Sequence, residues 1–227
     1  MFKQLDLWKK SILAGILISF GGMFSIVASP YGPIVKGLCF SVGLFGVLAC
    51  QAKLFTGSVL EVSVVWMDHN RNDIEGILCE LRYLIKKWFV IWIGNLIGSM
   101  LIVGICYAIG FDSSGIAVSK ASLSLTNVFF RALLCNILVC MCVYIFNSVN
   151  SNVPVSAFTT VLLPVSCFVA CGMEHSVANM FYMPLGLLYG SVDILQCISN
   201  ILVATVGNFV GGTLFSWLVN SKNKFHF

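Results

Sequence analysis

The sequence predicts an all-α membrane protein of six transmembrane helices, built as two inverted three-helix halves in which the second helix of each half is broken. Three observations lead there. Hydrophobic residues make up 59% of the 227 positions and charged residues only 10%, against about a quarter charged in a typical soluble domain, and the mean hydropathy is +0.96. Six apolar runs, each close to the roughly 20 residues that a crossing needs, consume nearly the whole length. The second and fifth of these runs are interrupted by polar residues, in the order unbroken, broken, unbroken, repeated once.

The first run, Ser11 to about Ser29, opens after Lys9 and Lys10 and stops at the Pro30, Gly32, Pro33 turn. No small-residue cleavage site follows it, so it reads as a retained span and not a signal peptide. The second run opens at Ile34, is interrupted at Gln51-Ala52-Lys53 and Thr56-Gly57-Ser58, and resumes from Val59 to Met67. The polar stretch Asp68 to Lys87 has apolar residues at helical spacing and reads as an interfacial helix or helical loop. A third span follows from about Phe89 to Ile109, a polar segment with Lys120 from Gly110 to Asn127, and a fourth span from about Val128 to Phe146. The fifth run starts at Val153 and breaks at Gly172-Met173-Glu174-His175-Ser176; the sixth covers about Ile198 to Val219.

The whole chain, 1–227, therefore reads as one transmembrane domain with repeats at about 11–109 and 128–219. An odd number of spans per half forces the halves into opposite orientations. Lys3, Lys9, Lys10, Arg71, Arg82, Lys86, Lys87, Lys222 and Lys224 fall on one side, nine of the thirteen Lys and Arg. By the positive-inside rule both termini are expected in the cytoplasm of a multi-pass protein of the inner or plasma membrane.

The net charge of +4 comes from these flanking cations, which form no aromatic-interleaved patch, so no nucleic-acid partner is expected. Eight of the ten cysteines, Cys39, Cys50, Cys106, Cys135, Cys140, Cys142, Cys167 and Cys171, lie in apolar runs, where a free thiol behaves as a small hydrophobe. His69, His175 and His226 are too scattered to suggest a metal site. The absence of a Gly-rich phosphate loop argues against ATP-driven pumping, and no cofactor is expected.

The two breaks carry the chemistry. Non-helical backbone at membrane depth survives only where protein or a water-filled cavity satisfies it, and matched interrupted helices in inverted halves point to a midplane substrate path. Thr56 brings a hydroxyl that donates and accepts; the bland reading is a Gly-kinked helix whose Thr bonds its own backbone. Glu174 and His175 are ionisable residues inside an apolar span, a functional signal by default, set against the plain reading of His175 as a satisfied core histidine. Glu174 is expected to lock the break by accepting backbone hydrogen bonds. Arg131, at the start of the fourth span, reads as an interface anchor that snorkels to the polar layer.

Several segments, in order, resemble the formate/nitrite transporter family from about Gly15 to Gly212. They are Gly37-Leu38-Cys39-Phe40-Ser41-Val42-Gly43-Leu44, Leu54-Phe55-Thr56, Arg131-Ala132-Leu133-Leu134-Cys135-Asn136, Glu174-His175-Ser176-Val177-Ala178-Asn179-Met180-Phe181 and Val206-Gly207-Asn208. The resemblance implies an aquaporin-like protomer, a homopentamer with one pore per protomer, and passage of small monovalent anions. It implies hydrophobic constrictions at Phe40, Leu44 and Phe55, with the neighbouring Leu54, on the cytoplasmic side and at Phe168 on the outer side. It further implies a central Thr56 and His175, an anion-attracting Lys120 at the pore mouth, and polar support from Asn136, Asn179 and Asn208. Gly57-Ser58 follows neither the formate nor the nitrite form of the family, and Ala132 replaces its usual glycine, so formate, hydrosulfide and nitrite all stand as substrates.

Such anions are bases of weak acids, and one proton makes each a small neutral molecule. His175, hydrogen-bonded to Thr56, is expected to share a proton with the passing anion, while desolvation opposes charge on imidazole and anion alike. The function expected is a passive, pH-dependent channel. An obligatory proton-coupled symporter is the alternative, since the same pair can couple flux to protons. A membrane thiol oxidoreductase, suggested by Cys140 with Cys142 and Cys167 with Cys171, is the second alternative, although no Cys-x-x-Cys motif is present. The paired Asn-Pro-Ala segments of an aquaporin are absent.

Overall fold

The computed structural model describes residues 2–62, 74–148 and 154–219. Among them every regular element is helical: α1 (Phe2–Ala28), a 3-10 turn (Ser29–Tyr31), α2 (Pro33–Ala49), α3 (Phe55–Ser58) with a 3-10 turn (Val59–Glu61), α4 (Ile74–Ala108), α5 (Ser114–Ala121), α6 (Leu125–Ser148), α7 (Pro154–Ala170), α8 (Ser176–Leu188) and α9 (Ile194–Val219). Helices α1, α4, α6 and α9 contain stretches long and apolar enough to cross a membrane, and α2, α7 and α8 are shorter apolar helices. Both expected interruptions are present, at residues 50–54 between α2 and α3 and at residues 171–175 between α7 and α8.

The third run differs from expectation. From Ile74 to Lys87 the polar stretch is not a separate interfacial helix but the first turns of α4, which runs unbroken for 35 residues. At 1.5 Å per residue that is roughly 50 Å, well beyond a hydrocarbon core of about 30 Å. Its charged start therefore projects past the apolar slab. Asp68 to Asp73, His69, Lys222, Lys224 and His226 lie outside the described residues. The segment expected to be merely polar between the third and fourth spans holds α5, which carries Lys120 in its last turn.

Large apolar side chains cover the outside of the molecule as well as filling its core. Phe20, Phe24, Leu101, Leu134 and Trp217 face outward, while Asn95, Asn136, Asn179, Asn200 and Asn208 are buried. With lipid outside, helix association rests on close packing and internal polar contacts and not on exclusion of water. Helix α1 packs on α4 and α2, α9 on α6, and α2 on α7. Close approach is possible where a side chain is missing: a Cβ at Gly98 would collide with the Ile12 carbonyl of α1, and one at Gly211 with the Leu133 carbonyl of α6.

Those two contacts are testable. Gly98→Leu and Gly211→Leu should each lower the thermal unfolding midpoint of the detergent-solubilised protein, at a cost of about 1–3 kcal/mol for overpacking against rigid backbone. Gly104→Ala, whose added Cβ meets nothing within 4 Å, should not lower it, since alanine is the better helix former.

Candidate functional site

Both breaks begin the same way. At the end of α2, the Gln51 N–H donates to Leu48 O (3.1 Å) and the Ala52 N–H to Val47 O (2.8 Å); at the end of α7, Gly172 donates to Val169 O (3.1 Å) and Met173 to Phe168 O (2.9 Å). The residue that turns the chain is left-handed in each, Gln51 at φ 50° and Gly172 at φ 64°. This is the helix-ending geometry that glycine adopts without steric cost, so Gln51 carries strain that Gly172 does not.

The non-helical residues are then held by one buried asparagine per break. Asn95 on α4 accepts from the Phe55 N–H (2.9 Å) and donates to Ser11 O (2.8 Å) and Lys53 O (2.9 Å). Asn208 on α9 accepts from the Ser176 N–H (2.8 Å) and donates to Ala132 O (2.7 Å) and Glu174 O (2.9 Å). Even the flanking bonds correspond: the Lys53 N–H donates to Lys10 O (3.1 Å), the Glu174 N–H to Arg131 O (3.4 Å). Each asparagine thus satisfies one donor and two acceptors that lipid could not pair.

On this common scaffold the side chains diverge. His175 stands at the N-cap of α8, where its Nδ1 accepts from the Ala178 N–H (3.1 Å). Its Nε2 lies 3.0 Å from Thr56 Oγ1. Because Nδ1 accepts, a neutral ring carries its proton on Nε2, which donates to Thr56 and leaves the hydroxyl hydrogen available to a third group. A second proton on Nδ1 would break the cap, and the helix dipole also disfavours a cation there. The Phe168 ring stacks on the imidazole at 6.0 Å between centroids and meets Phe40 edge-on at 5.8 Å.

Two cavities flank this pair. One, of about 60 Å³, is lined by Lys36, Phe40, Lys120, Phe168 and His175 among others. The other, of about 480 Å³, is lined by residues that include Lys10, Leu44, Lys53, Leu54, Gly57 and Ser58. Phe40 corrects the expectation that it stands with Leu44 on one side: it precedes Leu44 by one turn of α2, and its contact with Phe168 puts it on the Lys36 side. Phe55 is buried but lines neither of these cavities.

Glu174 is a second correction. Its carboxylate accepts not from backbone but from Lys120 Nζ (2.9 Å) and Asn179 Nδ2 (2.6 Å). Lys120 therefore reaches the cavity as half of an ion pair, 5.8 Å from the Tyr182 ring centroid. Asn179 also donates to Asn200 Oδ1 (2.7 Å), and Asn136 Nδ2 donates to Asn208 O (2.6 Å), extending the support to α9. Arg131 does more than flank a span, since its Nη1 donates to Gly172 O (2.8 Å) at the turn itself.

Sequence reasoning missed Asn95, Asn200 and Lys36. Asn95 was readable: Gly94-Asn95-Leu96-Ile97-Gly98 and Gly207-Asn208-Phe209-Val210-Gly211 repeat one pattern in the two halves. Lys36 was visible as a lone cation in an apolar run, and Asn200 had no such signal.

Apolar helices broken around a buried polar pair, with a cavity on either side, define a multi-pass membrane transport protein. The model of the family described as formate/nitrite transporter matches residues 2–221, and the chain belongs to that family. It is 32% identical over 239 residues to the probable formate transporter of Methanothermobacter thermautotrophicus, covering 90% of this chain and 84% of the other. To the formate channel FocA of Escherichia coli it is 29% identical over 264 residues, covering 95% and 87%. A solved structure described as a pentameric formate channel with formate bound superposes with a TM-score of 0.82 at 28% identity, over 97% of this chain and 98% of that one. These relatives are transporters and channels, which sets the thiol oxidoreductase alternative aside.

The shared scaffold predicts shared cost. Asn95→Ala and Asn208→Ala each strand buried backbone groups and should destabilise by about 2–4 kcal/mol, read as a lowered unfolding midpoint in detergent. A neutral Asn95→Ala would contradict the correspondence between the breaks.

Proposed function

We propose that the protein is a passive, pH-dependent channel for small monovalent anions of weak acids, with formate, hydrosulfide and nitrite as the candidate substrates. In this reading α2 with α3, and α7 with α8, each complete one broken crossing, giving six spans in two inverted halves. Both termini are cytoplasmic in the cell membrane, the chain assembles as a homopentamer, and each protomer holds its own pore. Support for the pentamer comes from the solved relative described as pentameric; support for the substrate class comes from relatives named as formate transporters and channels.

The observation that carries the mechanism is the His175–Thr56 pair between the two cavities. Phe40 and Phe168 on one side, Leu44 and Leu54 on the other, present apolar barriers that disfavour an ion more than its neutral acid. At the centre the Thr56 hydroxyl, oriented by Nε2–H, donates to the anion, and the N-terminus of α8 adds partial positive charge. When His175 is protonated, Nε2–H passes its proton to Thr56 Oγ1 as the Thr56 hydroxyl passes its own to the anion. The products are a neutral acid and an imidazole with its proton on Nδ1. A proton taken up at Nε2 from the water of a flanking cavity recharges the ring, and release of the Nδ1 proton restores the resting tautomer that Ala178 caps. Falling pH favours this route.

The same relay favours one second reading, obligatory proton-coupled symport. Current across a voltage-clamped bilayer at high pH, where the relay is idle, separates the two: the channel still passes the bare anion, whereas one-to-one symport of proton and monovalent anion stays electroneutral.

Reconstituted in liposomes, the wild-type protein should equilibrate formate, nitrite and hydrosulfide faster than acetate or lactate. Replacing His175→Asn, with the oligomer retained, should flatten the rise in uptake as pH falls. An unchanged pH profile would remove His175 from the mechanism.

A further inference from the structure

We propose that the Lys36 ammonium, rather than that of Lys120, is the receiving site for the incoming anion at the mouth of the smaller cavity. The inference rests on the anion-channel reading and adds to it a residue and a division of labour between two lysines.

Four charged side chains lie in or beside this cavity: Lys36 and Lys120 in its lining, Glu174 against Lys120, and Arg131, whose Nη1 donates to Gly172 O (2.8 Å) at its edge. Lys120 Nζ is 2.9 Å from Glu174 Oε1, with side-chain exposures of 14% and 2%, so the cation and anion cancel inside the protein. Lys36 lines the same cavity, and while its backbone N–H donates to Gly32 O (3.0 Å), its ammonium makes no side-chain hydrogen bond or ion pair among the described residues. It lies close enough to Lys120 for the two ammonium groups to interact electrostatically. Two like charges therefore face one small space in which only one acid is present. Of the two cations here without an acidic partner among the described residues, Arg131 is held on the Gly172 carbonyl and is not in the lining. The charge that faces the cavity is therefore that of Lys36, which matches one monovalent anion.

Position supports the same assignment. Lys36 is half-buried in the first turn of α2, so its stem lies against protein while its head meets the cavity. It stands one helical turn before Phe40, on the same face, and Phe40 meets the Phe168 ring that stacks on His175. An anion held at Lys36 is thus placed directly ahead of the aromatic pair that it must pass. The cavity, about 60 Å³, gives roughly the room of two waters, enough for an ion of a few heavy atoms. A Lys at this point is mobile and strongly hydrated, suited to receiving an ion and releasing it. Lys120, fixed by Glu174 and by the Tyr182 face, acts as a positioning residue for the second break through Glu174.

The test uses the full chain reconstituted in liposomes, with formate as the probe. Lys36→Gln should raise the formate concentration for half-maximal uptake roughly three- to tenfold at low ionic strength, the effect of removing one partly screened charge. Lys36→Arg should stay within about twofold of wild type. The difference should shrink as salt is raised to about 0.5 M, because screening acts on charge and not on packing. Should Lys36→Gln not yield the assembled protein, Lys36→Met, similar in length and apolar, is measured in its place.

Equal half-saturation for wild type and the assembled neutral variant at low salt would overturn the proposal while leaving the channel reading intact. So would an equal loss in Lys36→Arg, or a loss insensitive to salt. A wild-type protein that carries no formate, nitrite or hydrosulfide would overturn both readings together.

Discussion

Two pieces of non-helical backbone inside an apolar slab must have every donor and acceptor paired by protein, and the rest of the molecule is arranged around that requirement. A span that breaks without partners would leave several kcal/mol of unsatisfied groups in lipid. Asn95 and Asn208 meet the need from the helices packed alongside, each closing one N–H and two carbonyls. To bring those asparagines close enough, α4 must approach α1, and α9 must approach α6, to the point where Gly98 and Gly211 admit no Cβ. Helix packing, glycine placement and the polar interior follow from one electrostatic constraint.

The scaffold is repeated but the chemistry is not. The hydrogen bonds put Leu54 where the second break has His175, and Val177 where the first has Thr56: the Ser58 N–H donates to Leu54 O as the Asn179 N–H does to His175 O. Each break contributes one polar group and one apolar group to the centre. That asymmetry builds a hydrogen-bonded pair across 119 residues of sequence and keeps the surroundings greasy.

What could be read from the residues was whatever depends on local length and polarity. Apolar runs of crossing length, the interruptions at Gln51 to Ser58 and at Gly172 to Ser176, and Thr56 and His175 as polar intruders were all visible. Features set by approach between distant segments were not. The side on which Phe40 lies depends on how α2 crosses α7, and the pairing of Lys120 with Glu174 joins residues 54 positions apart. A cation expected to stand open to the pore proved to be compensated, while Lys36, whose single charge is uncompensated, passed for part of an apolar run. Helix α4 was read too short because its polar first turns look like a loop to any measure of hydropathy.

The central claim is that the resting pore holds a neutral His175 with its proton on Nε2, donated to Thr56, and Nδ1 capped by Ala178. Solid-state ¹⁵N NMR of histidine-labelled protein in lipid, with His175→Asn to assign the signal, tests this directly. At neutral pH the account predicts one protonated and one unprotonated ring nitrogen, with the protonated one assigned to Nε2. A ring protonated at both nitrogens, or at Nδ1 alone, would contradict it.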